Sequence, residues 1–573
     1  MNLATYIRNE GLIIILFISW LLMNGFLFFW CYFTMRFDDK FHYMYLMLGE
    51  VIFLARGTGI LLNFNCALVL LPMNKFINSW IRSRLFKNTK GSFRRLFDHS
   101  KGIHITLALT ICILSVVHTA LHIYNFFSFK ANFSNAVPDI NLQNTRGRTT
   151  LLSFCATIPG FTGLIMLVIA LLLSVSSFKA VRRLHHNLFD FLHYLSSVFL
   201  IVLMFHGFGK ITKYQTNLDQ HPLQCHHLDG KIKLEECKAE PSFNYVQASS
   251  WKWLAASFII HIIDRLIRLW CRWQECDVIS MNKTDSDVIE LVLSKKGFKA
   301  KPGQYVRLQC AEISEFEWHA FTLTKCPSKV SDGEQTFSVH IKVVGDWTMR
   351  LANLVKSTKT KETSKPKPNP NDHVIDIKDG ATKENKPIKL VFRIDGPYGS
   401  PHEDAFRFPI NISIATGIGI TPFLATIRDL KNYERRTTKG TFKLKKFHLI
   451  WVCRSIKEFI WILDEIDDVE QILRANNVED LLDIRIFVTQ EKVEQIQSYL
   501  PSLNVDNEWV SSKVKYGRPF IKSEIETIIS PLEKERVGIF YCGSPTLGKK
   551  IYTDVKNLKR GSNILIFNKE SFG

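Results

Sequence analysis

Four histidines stand in two long apolar stretches of this chain, His104 and His118 in one and His193 and His206 in the other. At about 1.5 Å of rise per residue each interval covers roughly 20 Å of helix, so two such helices could hold two metal centres stacked across most of a bilayer. Imidazole is a natural axial ligand of haem iron, and a polar side chain at that depth costs enough to be a functional hypothesis by default. A hydrogen-bonded core histidine is the ordinary explanation of any single one; two matched pairs fit it poorly. On an ideal helix His118 returns to within about 40° of His104, but His206 lies about 140° away from His193. The second helix must therefore bend, carry a π-bulge or hold laterally offset centres. His122, one turn beyond His118, is the rival ligand. Pairing it with His104 gives about 27 Å against about 20 Å on the partner helix, which favours His118 and leaves His122 beside the centre or its substrate.

Arg56 is a second anomaly, a cation inside the apolar run at Leu54-Ala55-Arg56-Gly57. A buried arginine needs an anion, which a haem propionate or a transient oxyanion would supply; snorkelling, or pairing with an acid such as Glu50, is the alternative.

These residues need a membrane domain to position them. Apolar stretches at 11–33, 46–72, 103–127, 151–176, 188–209 and 251–272 are each long enough to span the hydrocarbon core, and the first lacks a small-residue cleavage signature. Lys75, Arg82, Arg84, Lys87, Lys90, Arg94, Arg95 and Lys101 follow the second stretch, and Lys179, Arg182 and Arg183 follow the fourth. The positive-inside rule puts both connections in the cytosol, and an even number of spans puts both termini there too. His104 and His193 then lie near the cytosol, His118 and His206 near the outside. The net charge of +20 reads mostly as this topology signal and as attraction to anionic lipid. No interleaved aromatic and basic patch argues for nucleic acid.

None of the 12 cysteines sits in a C-x-x-C pair, which argues against structural zinc and iron–sulfur clusters. Cys225 and Cys237 alone fall in the outer segment 210–250, where a disulfide is expected. Asn132-Phe133-Ser134 is a glycosylation candidate in the outer segment after the third span. The matches at Asn282 and Asn411 lie in the cytosolic half and should be silent.

After Trp273 the pattern becomes short alternating strands, including Asp287–Leu293, Tyr305–Gln309 and Phe337–Val344, which predict a small β-barrel. His319-Ala320-Phe321-Thr322-Leu323-Thr324 places an aromatic and a hydroxyl at a strand end, suited to a flavin ring. The run His340 to Thr348, with Lys342, Gly345 and Trp347, offers a cation near a glycine, suited to its pyrophosphate. Segment 356–389, rich in lysine and proline, reads as a flexible insertion. From about 390 the pattern is α/β. The buried strand Phe408–Ala415 runs into Gly417-Ile418-Gly419-Ile420-Thr421-Pro422, a strand-to-helix turn whose amides can approach a pyrophosphate. Later strands end at Cys453-Arg454, Thr489 and Cys542-Gly543, the ends at which open α/β sheets bind ligands. Arg454, and as a second candidate Arg518, could pair the 2′-phosphate that separates NADPH from NADH.

As an ordered set these motifs resemble the NADPH oxidase (NOX) family, specifically its phagocyte-type transmembrane catalytic subunits, over essentially the full length. Leu62-Asn63-Phe64-Asn65-Cys66, Asp395-Gly396-Pro397-Tyr398-Gly399 and the ending Phe567-Asn568-Lys569-Glu570 add to the resemblance. It implies a multidomain membrane protein. A ferric-reductase-like six-helix bundle with two b-type haems would occupy 1–273, a FAD-binding β-barrel 274–395, and a ferredoxin-reductase-like α/β domain for NADPH 396–573. Electrons would pass from NADPH through FAD and both haems to molecular oxygen outside, giving superoxide. The carry-over makes His104 and His193 ligands of the inner haem and His118 and His206 of the outer one, with Arg56 and His122 at the oxygen site. It also implies a multi-pass protein of the plasma membrane or a phagosome-type membrane, a small membrane-anchored subunit and cytosolic activators.

Some positions depart from the pattern. Ala320 replaces a proline, Lys342 stands where an arginine commonly holds the FAD pyrophosphate, Cys542-Gly543-Ser544-Pro545 shifts the expected Cys-Gly-Pro, and Gly573 follows Phe572, the aromatic expected over the flavin. No D-x-D-x-D-G loop precedes the first helix, which argues against direct calcium gating. The rival enzyme is a ferric or cupric metalloreductase. A proton-conducting role for Arg56 and the histidines leaves the dinucleotide motifs unexplained and is only a secondary activity.

Overall fold

The computed structural model describes residues 3–84, 92–142, 150–228, 237–284, 286–327, 335–363, 390–433, 443–491, 512–558 and 561–570. Phe572, segment 364–389, Lys87 and Lys90 lie outside them. The chain forms two compact units, Leu12–Asn78 with His99–Arg265, and Met1–Gly11 with Ser79–Asp98 and Leu266–Gly573.

Among the described residues, five helices are long and apolar enough to cross a membrane: Glu10–Arg36, Val51–Met73, Ser100–Ala131, Ile158–Ser177 and Asn187–His206. The sixth expected span forms the helix Ser250–Arg272, but Asp264, Arg265, Arg268 and Arg272 end its apolar part at Ile263, short of the predicted 251–272. Trp20 Nε1 donates to Asn65 Oδ1 at 2.9 Å and Asn65 Nδ2 to Asn24 Oδ1 at 2.7 Å, a buried amide relay joining the first two spans.

The fifth span departs from an ideal helix between the two histidines. The fifth span consists of His186–His193 and Leu195–His206, and Tyr194 separates them. There Tyr194 N bonds Phe191 O and Ser197 N bonds Tyr194 O, tight i to i+3 turns that overwind the helix between the two histidines. Beyond the spans, strands β1 (Lys213–Gln215) and β2 (Phe243–Tyr245) pair antiparallel, and Cys225 is bonded to Cys237. Asn132 Nδ2 donates to Met47 O at 2.7 Å and Ser134 is buried, so glycosylation at Asn132 would have to precede closure of this fold.

The second unit holds a closed barrel and an open sheet. The barrel strands are β3 (Glu275–Lys283), β4 (Val288–Ser294), β5 (Tyr305–Cys310), β6 (His319–Lys325), β7 (Thr336–Lys342) and β8 (Phe392–Tyr398), in the order β3-β4-β7-β6-β5-β8. The helix Asp346–Thr363 follows β7 and enters the segment read as a flexible insertion, whose first eight residues are therefore helical. Helix-forming Lys356, Lys359 and Lys361 precede the first proline at 366, which explains the shift.

The sheet is parallel throughout: β9 (Ile410–Thr416), β10 (Lys446–Cys453), β11 (Leu482–Val488), β12 (Val514–Tyr516), β13 (Arg536–Cys542) and β14 (Ile564–Glu570), in the order β12-β11-β10-β9-β13-β14. Order reverses between β9 and β13, so their C-terminal ends form the crevice where such sheets bind ligands.

Two clusters of charge tie this unit together. Arg82, 2% exposed, pairs with Asp98, Glu403 and Asp404, and Arg94 pairs with Glu403 and Asp404. These two cations of the basic connection therefore do not face lipid headgroups, as their sequence context implied. A buried arginine without its acid is costly, so the carboxylates hold the loop in place. At the other end Arg268 and Arg272 each reach Asp395 Oδ2 at 2.7 Å. Burial alone would raise the Asp395 carboxyl, but the Arg268 hydrogen bond and the two guanidinium charges bring it down to about 2.

Candidate functional site

The helix Ser100–Ala131 carries His104 and His118, and the broken fifth span brings His193 and His206 opposite them. Ring centroids of His104 and His193 lie 6.1 Å apart, those of His118 and His206 6.4 Å apart. Two axial metal–nitrogen bonds of about 2 Å plus about 1 Å to the centre of each ring sum to roughly 6 Å, so each pair is spaced to clasp one iron.

The proton positions agree with this. His118 Nδ1 lies 3.1 Å from Ala55 O and His104 Nδ1 lies 3.0 Å from Val69 O. A carbonyl only accepts, so these nitrogens carry the proton and leave each Nε2 lone pair free for a metal. His122 stands edge-on to His118 at 4.6 Å. Arg56, His118, His122 and His206 line one cavity of about 190 Å³. Arg56 Nε is buried without a hydrogen-bond partner, while Glu50 binds Arg36 Nε at 2.7 Å and Tyr32 at 2.9 Å. The acid that might have neutralised Arg56 is thus taken, and the guanidinium is available to an anion in the cavity.

The barrel sorts the flavin candidates by strand alternation. Leu323 is fully buried in the barrel core and Trp347 packs there too, its ring 4.6 Å from His319 and 5.9 Å from Phe321. Leu323 turns into the barrel core, whereas the buried Trp347 Nε1 has no hydrogen-bond partner among the described residues. Thr322 points the other way, and its buried hydroxyl has no partner. This orphan donor on the face of β6 that meets the helix Thr421–Asp429 fits the polar edge of a flavin ring.

Thr324 and His340 are spent on each other at 2.8 Å, and His340 stacks on Trp461 at 4.4 Å. Burial, aided by Arg428, pushes the His340 imidazole down to about 3, so it packs as a neutral ring. Lys342 donates to Ser286 O at 2.7 Å, which draws its charge away from the helix start at Gly345. At that start Thr348 Oγ1 accepts from the Val344 and Gly345 amides.

In the sheet the two glycine turns meet. A Cβ on Gly419 would lie 2.3 Å from Cys542 O, and one on Gly543 would lie 1.9 Å from Thr416 Oγ1. Only glycine permits this approach of the β9 and β13 ends, from which the helix beginning Thr421-Pro422 departs. Burial raises the Cys453 and Cys542 thiols well above their usual range, and Cys453 sits in the hydrophobic core. Cys453 thus packs in the core at the C-terminal end of β10. Cys542 pairs in register with Glu570, a residue the site prediction passed over; its Oε2 lies 2.5 Å from His402 Nδ1. Arg454 and Arg518 are both exposed at the same edge, after β10 and β12. With β11 between them their strands are about 10 Å apart, a gap that one phosphate can bridge.

The segments 58–204, 273–402 and 412–556 match the family models described as ferric reductase like transmembrane component, FAD-binding domain and ferric reductase NAD binding domain. NADPH oxidase 4 of Pongo abelii is 31% identical over 99% of this chain and 99% of its own length. The chain belongs to the NADPH oxidase family. NADPH oxidase 3 of Homo sapiens is 29% identical over the whole of both chains. Among solved structures, a flavohemoglobin from Malassezia yamatoensis is 12% identical, with a TM-score of 0.36, over 90% of this chain and 97% of its own. In an NADPH oxidase the exposed pair Arg454 and Arg518 has a defined test. Changing both to alanine should lower the preference for NADPH over NADH by at least roughly tenfold, since each charge-assisted contact is typically worth about 1.5–3 kcal/mol. Steady-state kinetics with each nucleotide measures it; an unchanged ratio excludes the two arginines.

Proposed function

We propose that this NADPH oxidase moves electrons outward across a membrane, from cytosolic NADPH to molecular oxygen outside, and releases superoxide. FAD, when bound, would supply hydride acceptance, and two b-type haems single-electron transfer. His104 and His193 hold the inner haem, His118 and His206 the outer one. Thr322 would meet the flavin edge, and Gly417 and Gly419 would make room for the nucleotide phosphates. Since His118 and His206 would both be spent as ligands, oxygen would be met by Arg56 and His122, whose shared cavity favours developing negative charge.

The reading rests above all on the two facing histidine pairs, 6.1 and 6.4 Å between centroids. The basic connections after the second and fourth spans support cytosolic termini in a plasma or phagosome-type membrane. A small membrane-anchored subunit and cytosolic activators, which the resemblance to phagocyte-type subunits implies, belong to this reading. Reduced-minus-oxidised spectra of the purified protein, recorded as NADPH is added, should show two low-spin haems filling through a flavin. In sealed vesicles a membrane-impermeant probe should find superoxide opposite the nucleotide. Superoxide on the nucleotide side would overturn the topology; reduction of ferric or cupric chelates in place of oxygen would make the protein a metalloreductase.

A further inference from the structure

The outer histidine pair is held by a repeated device. Thr58-Gly59, on the helix Val51–Val69, faces His118, and Thr162-Gly163, on the helix Ile158–Ser177, faces His206. Each threonine hydroxyl has its own hydrogen committed to its helix, to Ala55 O at 2.8 Å and to Ile158 O at 2.5 Å. It can therefore only accept from the imidazole. His118 and His206 place Nδ1 at 2.9 and 2.8 Å from these oxygens, so both nitrogens carry the proton and both Nε2 atoms keep their lone pairs. The neighbouring glycines lie against the same rings: a Cβ on Gly59 or Gly163 would stand 3.4 Å from Cε1 of His118 or His206. The inner pair is built otherwise. His104 donates to Val69 O at 3.0 Å and His193 Nδ1 is buried without a partner.

We propose that Thr58 and Thr162 are positioning residues that hold down the reduction potential of the outer haem, an inference that rests on His118 and His206 being its ligands. An Nδ1–H that donates a hydrogen bond makes its ring more basic at Nε2, which stabilises the ferric state. A hydroxyl that is itself donating to a carbonyl is polarised into a better acceptor, so each threonine strengthens the effect. A low potential at the outer haem is what one-electron transfer to oxygen requires. The two sites are not equal. His118 keeps the Ala55 carbonyl at 3.1 Å if Thr58 is removed, whereas Thr162 is the acceptor the structure gives His206.

The test is a spectroelectrochemical redox titration of the full-length holoprotein in detergent. Thr162→Val should keep two low-spin haems and shift the reduction equilibrium of one by about tenfold toward the ferrous state, about 59 mV for one electron. Thr58→Val should shift the same wave in the same direction by less, and Thr162→Ser should titrate like the wild type. A wild-type titration of Thr162→Val, with His206→Ala losing one haem, would overturn the proposal and leave the ligand reading standing. His206→Ala retaining two bis-histidine haems would remove the ligand reading and the proposal with it. Should Thr162→Val bind a single haem, Thr58→Val decides, and an unshifted wave there overturns the proposal.

Discussion

His118→Ala is expected to purify with one bis-histidine haem in place of two and to make superoxide at background rates. His118 faces His206 at 6.4 Å with its Nε2 free, because Ala55 and Thr58 hold the Nδ1 proton. His122 sits edge-on to that ring, one turn further along the same helix. Losing one of two proposed ligands would remove the covalent hold on that haem, while His104 and His193 would keep theirs. His206→Ala should behave in the same way, whereas His122→Ala should keep both haems. Haem content and the low-spin optical and resonance signals measure the outcome. Two low-spin haems in His118→Ala would transfer the ligand role to His122.

Arg56→Ala should fall on the last electron transfer alone. The guanidinium lies in the cavity with His118, His122 and His206, and its Nε has no partner because Glu50 is held by Arg36 and Tyr32. A fixed cation in a low-dielectric cavity stabilises a new oxyanion, and removing such a group typically costs about a hundredfold or more in rate. Reduction of the inner haem by NADPH under nitrogen should proceed at the wild-type rate, since neither His104 nor His193 lines the cavity that holds Arg56. Reoxidation after mixing with oxygen should slow by roughly two orders of magnitude. Stopped-flow spectroscopy separates the two phases, and wild-type reoxidation in the mutant would defeat the role given to Arg56.

The chemistry was legible in the sequence wherever residue type and short spacing carry it. Histidines at helical depth, basic connections, and glycines between a strand and a helix are local patterns, and the structure keeps the elements they predict. The spacing of His193 and His206 called for a bend, a π-bulge or offset centres, and the helix is interrupted at Tyr194. Strand periodicity likewise placed His319 to Thr324 on one strand with alternating faces. It did not say which face turns inward, and barrel closure sent Leu323 to the core and left Thr322 at the cleft.

Partner choice was the other part left to tertiary structure. Whether Arg56 meets Glu50, whether Arg82 meets lipid or Glu403, and which hydroxyl receives the proton of His206 depend on groups far apart in the chain. Arg82 and Glu403 are 321 positions apart, and Thr162 and His206 are 44 apart on different helices. Local periodicity fixes which side of an element is apolar, because burial of that side is decided within a few residues. Pairing across elements depends on how the packed helices and strands meet, and only there does one acceptor or one acid win the desolvated partner.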